Sequence, residues 1–542
     1  MSNDPCRYDS VSTGSDTVPV TPAVPVPLQR IPFIDPALLA GHDIVLLSEP
    51  NTWLTVDGET GELLVLHTPP GGEHLVTAQL VDRARGVPVY ETSIRLTATP
   101  TRPAPMDVLP GFILGYTNSA SVVQGGSLQL HVSTDQPVYD VVIYRAGTNR
   151  SFTRVARETN LPGTRAISRA EPWHNGAGWP LSHALPIPVG WESGLYRAVL
   201  AAGEARFAFE FVVRPRAFGA HADVLVLDSA PTVQAYNAWG GRSLYPRSGA
   251  HGPIPRAHTV SPARPTPRRV QLHTELELVS WLENEGITYD YASMLDLEAY
   301  PSLLDAYRVV LIVGHNEYWT RDMRVRFERF LAGGGNAMIM SGNTMWWQIR
   351  IEDDRIICYK SAADDPITPV DPARTTTQFH ASPVDDPEER TTGLSFRFGG
   401  FVNHGAILPH SEGHGGYTVA APGHWAYQGT GVRLGEVFGR EAQIVGYEAD
   451  GAPITFIDGM PRLVENPHTP PDFRIIAFAE ARGERGDTGH ATPGLFPFGA
   501  GCVFNAATIN WASGLRSDPV VRTMTRNVID AFSRPTGPET CP

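Results

Sequence analysis

The chain is 542 residues long, more than one hydrophobic core organises, and at about 100–200 residues per domain about three domains are expected. Its net charge of −14, with no basic stripe to offset it, excludes nucleic acid as a partner. No run of about 20 apolar residues occurs, so neither a membrane-spanning helix nor a membrane partner is expected.

Cys6, Cys358, Cys502 and Cys541 lie without CxxC spacing. A chain of this length needs no disulfide framework, and no thiolate metal site is expected either. The N-terminus has neither the basic nor the apolar region of a secretory signal, which points to a cytoplasmic protein.

Residues 1–27, rich in Ser, Thr, Pro and Val, cannot bury a core and read as a flexible arm. Residues 28–99 hold short β-prone runs, HDIVLLSE, ELLVLHT, HLVTAQLVD and YETSIRLTAT, broken by turn signals; this is the pattern of a small β-sandwich of immunoglobulin type. A second β-sandwich is expected over 103–215, with SLQLHVST, YDVVIYRAG, GLYRAVLAAG and FAFEFVVR as strands. Over 217–536 apolar runs alternate with helical patterns, which predicts an α/β domain with a mostly parallel sheet.

Within that last region, Thr274 and Glu277 have capping-box spacing and Gly286 stands where a helix C′ glycine belongs. RVVLIVG, HNEYW, TRDMRVRFERFLAGGG and NAMIM form a strand, loop, helix and strand, with Met323, Phe327, Phe330 and Leu331 on one helical face. A last helix opens at Asp518 and Pro519 and presents Val521, Met524, Val528 and Phe532.

Ligands of an open α/β sheet bind beyond the carboxyl ends of its strands. Those places offer Tyr236, Asn237, Trp239, Tyr245, His315, Glu317, Tyr318, Asn343 and Glu448. The run His315-Asn316-Glu317-Tyr318-Trp319 ends a fully apolar strand. It reads either as a plain loop leading into a helix or as a site in which Glu317 is a metal ligand or general base with His315 beside it. No GxSxG elbow is present, and neither Cys358 nor Cys502 sits at a strand-to-helix elbow. His404, His410 and His414 share a loop-like stretch that makes a poor second metal site. Trp239, Trp319, Trp346 and Trp347 read as walls and packing, and Tyr318 as a structural residue facing away from Glu317.

At HNEYW, SGNTMWWQIR, AYNAWGGRSLY and IVGYEAD the sequence resembles the large (β) subunit of N,N-dimethylformamidase, an amidohydrolase, over about 160 to 535. The resemblance implies a C-terminal domain with the fold of class I glutamine amidotransferases but without their cysteine chemistry. It also implies a mononuclear non-haem iron held by two tyrosines and a glutamate. Carried over by motif, the glutamate is Glu317 and one tyrosine is Tyr236; the other is Tyr196 in ESGLYRA. His315, Asn343 and Glu448 match the polar residues around the iron. The family's run reads GHDEYW, and Asn316 here replaces its aspartate, which puts the support of the His315 imidazole in question.

The implied reaction is hydrolysis of a small amide or related C–N bond. Hard oxygen ligands favour Fe(III), which would polarise the carbonyl. Water activated by Glu448 or His315 would attack, and Asn343 would donate to the oxyanion. The resemblance also implies assembly, as a homo-oligomer or with a small companion subunit, and leaves the substrate open. The alternative is a non-catalytic binding or structural protein, whose mark would be failure of Tyr196, Tyr236 and Glu317 to converge. A carbohydrate-acting protein is a third reading, without an identifiable carboxylate pair.

Overall fold

The fold is that of a computed structural model. It describes residues 111–249, 252–267, 269, 272–402, 415–482, 488–534 and 541, together with seven strands between 17 and 98. In the N-terminal part, Gly72–Asp82 and Pro88–Ala98 form an antiparallel ribbon edged by His42–Leu46. Thr17–Val20, within the expected flexible arm, pairs in parallel with Arg95–Ala98 on the other edge. An edge position suits this segment because Pro19 has no N–H to give. The rest of the arm lies outside the described residues. A second small sheet joins Gln29–Pro32, Glu62–Val65 and Leu54–Val56.

Residues 111–214 form two further sheets. One has three strands, His183–Pro186, Ser127–Thr134 and Ile113–Thr117. The other has five, Phe152–Pro162, Val138–Ala146, Gly194–Ala202, Ala205–Arg214 and Ser121–Val123. Alternation sends Val141, Ile143, Tyr196, Ala198 and Leu200 toward Leu114, Leu130 and Val132 of the three-stranded sheet. The opposite face, with Val142, Tyr144, Leu195 and Val199, packs against Leu278, Val279 and Leu282 of the C-terminal region. The middle of the five-stranded sheet is therefore covered on both sides, and Val138–Ala146 and Gly194–Ala202 are buried along most of their length for that reason.

The C-terminal region is built on β1 (Val224–Leu227), α1 (Ala230–Tyr236), α2 (Leu272–Asn284), β2 (Tyr289–Ala292), β3 (Val309–His315), α3 (Arg321–Ala332), β4 (Asn336–Gly342), β5 (Tyr447–Gly451), β6 (Arg474–Ile475), β7 (Gly494–Phe498), β8 (Gly501–Asn505) and α4 (Pro519–Phe532). Seven of the strands form one sheet in the order β2-β1-β3-β4-β8-β7-β6. The pairs from β2 to β8 are parallel, and the last two are antiparallel. Val309, Leu311 and Val313 face α2 and α4, whereas Val310 and Ile312 face Met323, Phe327 and Leu331 of α3. An antiparallel sheet that includes β5 and Ser395–Val402 crosses the carboxyl end of β4.

The helix ends follow local chemistry. The Thr320 hydroxyl accepts from Met323 N at 3.0 Å, and Asp518 accepts from Val520 N and Val521 N at 2.9 and 3.0 Å. Gly286 takes φ +65° after α2, as a C′ glycine does. The capping box expected at Thr274 and Glu277 does not form, because α2 already begins at Leu272 and Glu277 pairs with Arg150 at 3.2 Å. The cysteine expectation also needs correction: Cys502 on β8 is joined to Cys541, Cα to Cα 5.8 Å, and ties the C-terminal segment back to the central sheet. Buried Cys358 is free. No described helix is long and apolar enough to cross a membrane.

Candidate active site

The loop between β3 and α3 brings Glu317 to the carboxyl edge of the sheet. Its backbone is held there by α1, whose Thr232 hydroxyl accepts from Glu317 N at 3.1 Å and Tyr318 N at 3.4 Å. The same helix ends on Tyr236, whose hydroxyl donates to Glu317 Oε2 at 3.1 Å. Nine residues further on, the Tyr245 hydroxyl donates to both carboxylate oxygens, at 2.6 and 2.9 Å. The two phenol rings stack with centroids 4.4 Å apart. Trp347 Nε1 donates to Glu317 Oε1 at 2.9 Å, and the Tyr318 hydroxyl donates to that of Tyr245 at 2.7 Å.

On the other side of Glu317, at 3.4 Å, stands His315 Nε2, which lies 2.6 Å from Glu448 Oε2. The contact is an ion pair without a well-angled hydrogen bond, since neither atom has one among the described residues. Asn343 Nδ2 donates to Glu448 Oε1 at 3.4 Å, and Asn343 Oδ1 is buried without a partner among the described residues. Glu317, His315, Glu448 and Asn343 are 2, 3, 4 and 4% exposed. Asn316 turns aside and donates to the Val313 carbonyl at 2.8 Å. The carboxylate beside His315 thus comes from Glu448, a distant strand, and not from the neighbouring residue.

Two groups hold this arrangement from behind. Lys360 Nζ lies 3.5 Å from the centroid of the Tyr245 ring and 4.7 Å from that of Trp347, close enough for a cation–π attraction. The Asp450 carboxylate accepts from Asn343 N at 2.7 Å and Thr344 N at 3.2 Å. It braces a turn in which Asn343 and Met345 have φ of +54° and +57°, left-handed conformations that cost about 1–3 kcal/mol each.

Burial governs the electrostatics. It pushes the phenols of Tyr236 and Tyr245 well above their ordinary value, and the Glu317 carboxylate pushes them further. Burial likewise raises the Glu317 carboxyl, against the opposing pull of His315 and Lys360. Burial alone would lower His315, but Glu448 and Glu317 outweigh it and raise the imidazole to about 9. Burial lowers the Lys360 ammonium, with Glu317 opposing, and raises Asp450 to about 7 despite its two amide bonds. The phenols therefore keep their protons at neutral pH.

Five of the six expected site residues, Tyr236, His315, Glu317, Asn343 and Glu448, lie together. Tyr196 does not. It points into the sandwich core, 1% exposed, stacked on Trp191 at 5.2 Å, and its hydroxyl donates to the Glu192 carbonyl at 2.7 Å. Mid-strand alternation fixes it there, and the second tyrosine on Glu317 is Tyr245. Tyr318, expected to face away, belongs to the hydroxyl chain through Tyr245. Trp347 touches Glu317, while Trp239 packs in the sandwich core, Trp319 under α3, and Trp346 against His380 and Phe396. Asn237 braces the following loop through the Pro265 carbonyl at 3.0 Å. His404, His410 and His414 lie outside the described residues. Lys360 and Asp450 escape a reading of the sequence, although the i, i+2 spacing of Asp450 from Glu448 on a strand signals a shared face.

Among the described residues, no three His, Cys, Asp or Glu side chains form a metal-holding group; the oxygen cluster on Glu317 owes two of its three members to tyrosine. A cavity of about 580 Å³ lies along the Ala230, Val233 and Gln234 side of α1 and touches none of the site residues.

Comparison with known proteins gives the family. Two curated relatives, both named N,N-dimethylformamidase beta subunit, are 35% identical (Alcaligenes sp) and 36% identical (Paracoccus aminophilus) over 86 residues, 16% of this chain. The chain covers 11% of the length of each. The solved structure of Sidekick-1 immunoglobulin domains 1-4 aligns over 40% of this chain and 54% of its own at 14% identity, with a TM-score of 0.16, too low to relate the folds. The family described as N,N-dimethylformamidase beta subunit-like, C-terminal, matches residues 140–526, a span that holds Tyr236, Tyr245, Glu317, His315, Asn343 and Glu448, and the chain belongs to that family.

Proposed function

We propose that the protein hydrolyses a small amide or a related C–N bond at the Glu317 site. The observation that carries this reading is the convergence of two phenols on one buried carboxylate, beside an imidazole–carboxylate pair and an asparagine amide. The relatives' name supports the amide class, and the substrate itself is left open.

The donor set fits a hard trivalent cation. Three side chains supply oxygens only, separated by 2.6 to 3.1 Å, and two phenolates with one carboxylate would balance a 3+ charge. Tyr236, Tyr245 and Glu317 would hold a mononuclear non-haem Fe(III), and when bound such an ion polarises an amide carbonyl as a Lewis acid. Glu448 is placed to take the proton of an attacking water, with the cationic His315 against it at 2.6 Å to hold the carboxylate in place. The water oxygen bonds to the carbonyl carbon, the C–N bond breaks, and the proton passes to the departing nitrogen. A cationic His315 suits that return. Asn343 Nδ2 is placed to donate to the oxygen on which charge develops. Lys360 would offset negative charge behind Tyr245. The relatives' designation as beta subunits supports assembly with a companion chain.

Metal analysis with a visible spectrum and an amide-hydrolysis assay tests this. Iron bound at one per chain, a tyrosinate-to-iron charge-transfer band and release of an amine are expected. A metal-free protein that hydrolyses no small amide would sink the proposal.

A further inference from the structure

We propose that Asp450 is the positioning residue of this site, fixing the turn that aims Asn343 at the reacting carbonyl, an inference that rests on the hydrolase reading above. Glu448 and Asp450 are two residues apart on β5, so both point to the same side of the strand. Glu448 meets the side chains of His315 and Asn343. Asp450 meets the backbone of the turn instead, with one carboxylate oxygen on Asn343 N at 2.7 Å and the other on Thr344 N at 3.2 Å.

That turn leaves β4 in left-handed conformations at Asn343 and Met345, which a free loop rarely keeps. Asp450 is 1% exposed and has no ion-pair partner among the described residues, so its carboxylate is committed to the two amides. The approach depends on Gly342, because a Cβ there would stand 2.3 Å from the Glu448 carbonyl oxygen and 2.9 Å from Ile509 N. One strand therefore delivers both the acid that works on His315 and the clamp that orients Asn343, and their relative placement is set by the strand's pleat.

The test uses the full chain as wild type, Asp450→Asn, Asn343→Ala and the double variant. Asp450→Asn keeps shape and burial but turns an NH2 toward an amide. It is expected to lower kcat about 100-fold with KM within about 3-fold, and to add nothing to Asn343→Ala. Hydrogen exchange in the 342–346 segment should quicken about 10-fold or more while β3 stays protected. The inference is overturned by a kcat within about 3-fold of wild type, by losses that multiply in the double variant, or by unchanged exchange. Should Asp450→Asn not fold, the wild type decides: slow exchange of the Asn343 and Thr344 amides supports the clamp, and exchange at the rate of a free peptide overturns it. If the wild type turns over no amide, the hydrolase reading fails separately, and the exchange measurement alone settles whether Asp450 holds the turn.

Discussion

Two groups of buried acids in this protein end differently. Glu388 and Glu389, 0 and 1% exposed, are met by the Arg397 guanidinium on Glu389, by the Ser395 hydroxyl on Glu388 and by His380 Nδ1 at 3.3 Å. A guanidinium is fixed against Glu389, and Glu388 is tied to a hydroxyl and an imidazole. Glu317 and Glu448 have no arginine among the described residues; they have phenol protons, one imidazole and an ammonium seated over aromatic rings. A closed ion pair is architecture, whereas acids neutralised by removable protons can exchange them for a metal or pass them to a substrate.

Removing the exchangeable side of that contrast should have the largest effect. Glu317→Ala is expected to abolish iron binding and reduce hydrolysis to background, read by metal content and amine release. Glu448→Gln, which keeps the shape but cannot take a proton, is expected to lower kcat by roughly 10²–10⁴-fold with iron retained. The two tyrosines sharpen the contrast further. Tyr245→Phe should weaken or shift the charge-transfer band and lower activity, while Tyr196→Phe should leave the band unchanged and cost about 1 kcal/mol of stability for its lost hydrogen bond.

The smallest effect belongs to the closed cluster and appears only against pH. Burial, and then the neighbouring Glu388 carboxylate, raise the Glu389 carboxyl to about 7 from its ordinary 4.5. The folded chain holds a proton that the unfolded chain releases at lower pH, so this contribution is complete in acid and is lost as pH rises through about 7. Glu389→Gln, which mimics the protonated acid, should flatten the fall in Tm between about pH 5 and 8. An identical pH slope in both proteins would refute it.

Much of the site is legible in the sequence. Apolar runs bounded by glycine mark β3 and β4, and the residues beyond them supply the site, because strand ends of a parallel sheet are where polar side chains can gather. The strand Phe152–Pro162 escapes notice because it is an edge strand with most of its side chains in solvent, so no apolar alternation marks it. Tyr196 and Tyr245 could not be separated by motif: one lies mid-strand in a sheet covered on both faces, the other in a loop whose path only the fold fixes. Lys360 lies in a loop 43 residues after Glu317 and reaches it only through tertiary packing. The Cys502–Cys541 link spans 39 residues and joins two segments that no spacing rule connects.

The doubly covered sheet of residues 121–214 bears on what can be inherited or expressed as a unit. A cut near residue 216 would divide one continuous core, stranding Val142, Leu195 and Val199 on one fragment and Leu278 and Val279 on the other. The family match extends across that boundary, for it begins at residue 140, inside the strand Val138–Ala146, and so takes in Val142, Leu195 and Val199 with the parallel sheet. The smallest portable module that carries the Glu317 site is therefore not the parallel sheet with its helices, but that sheet together with the sandwich wall it leans on.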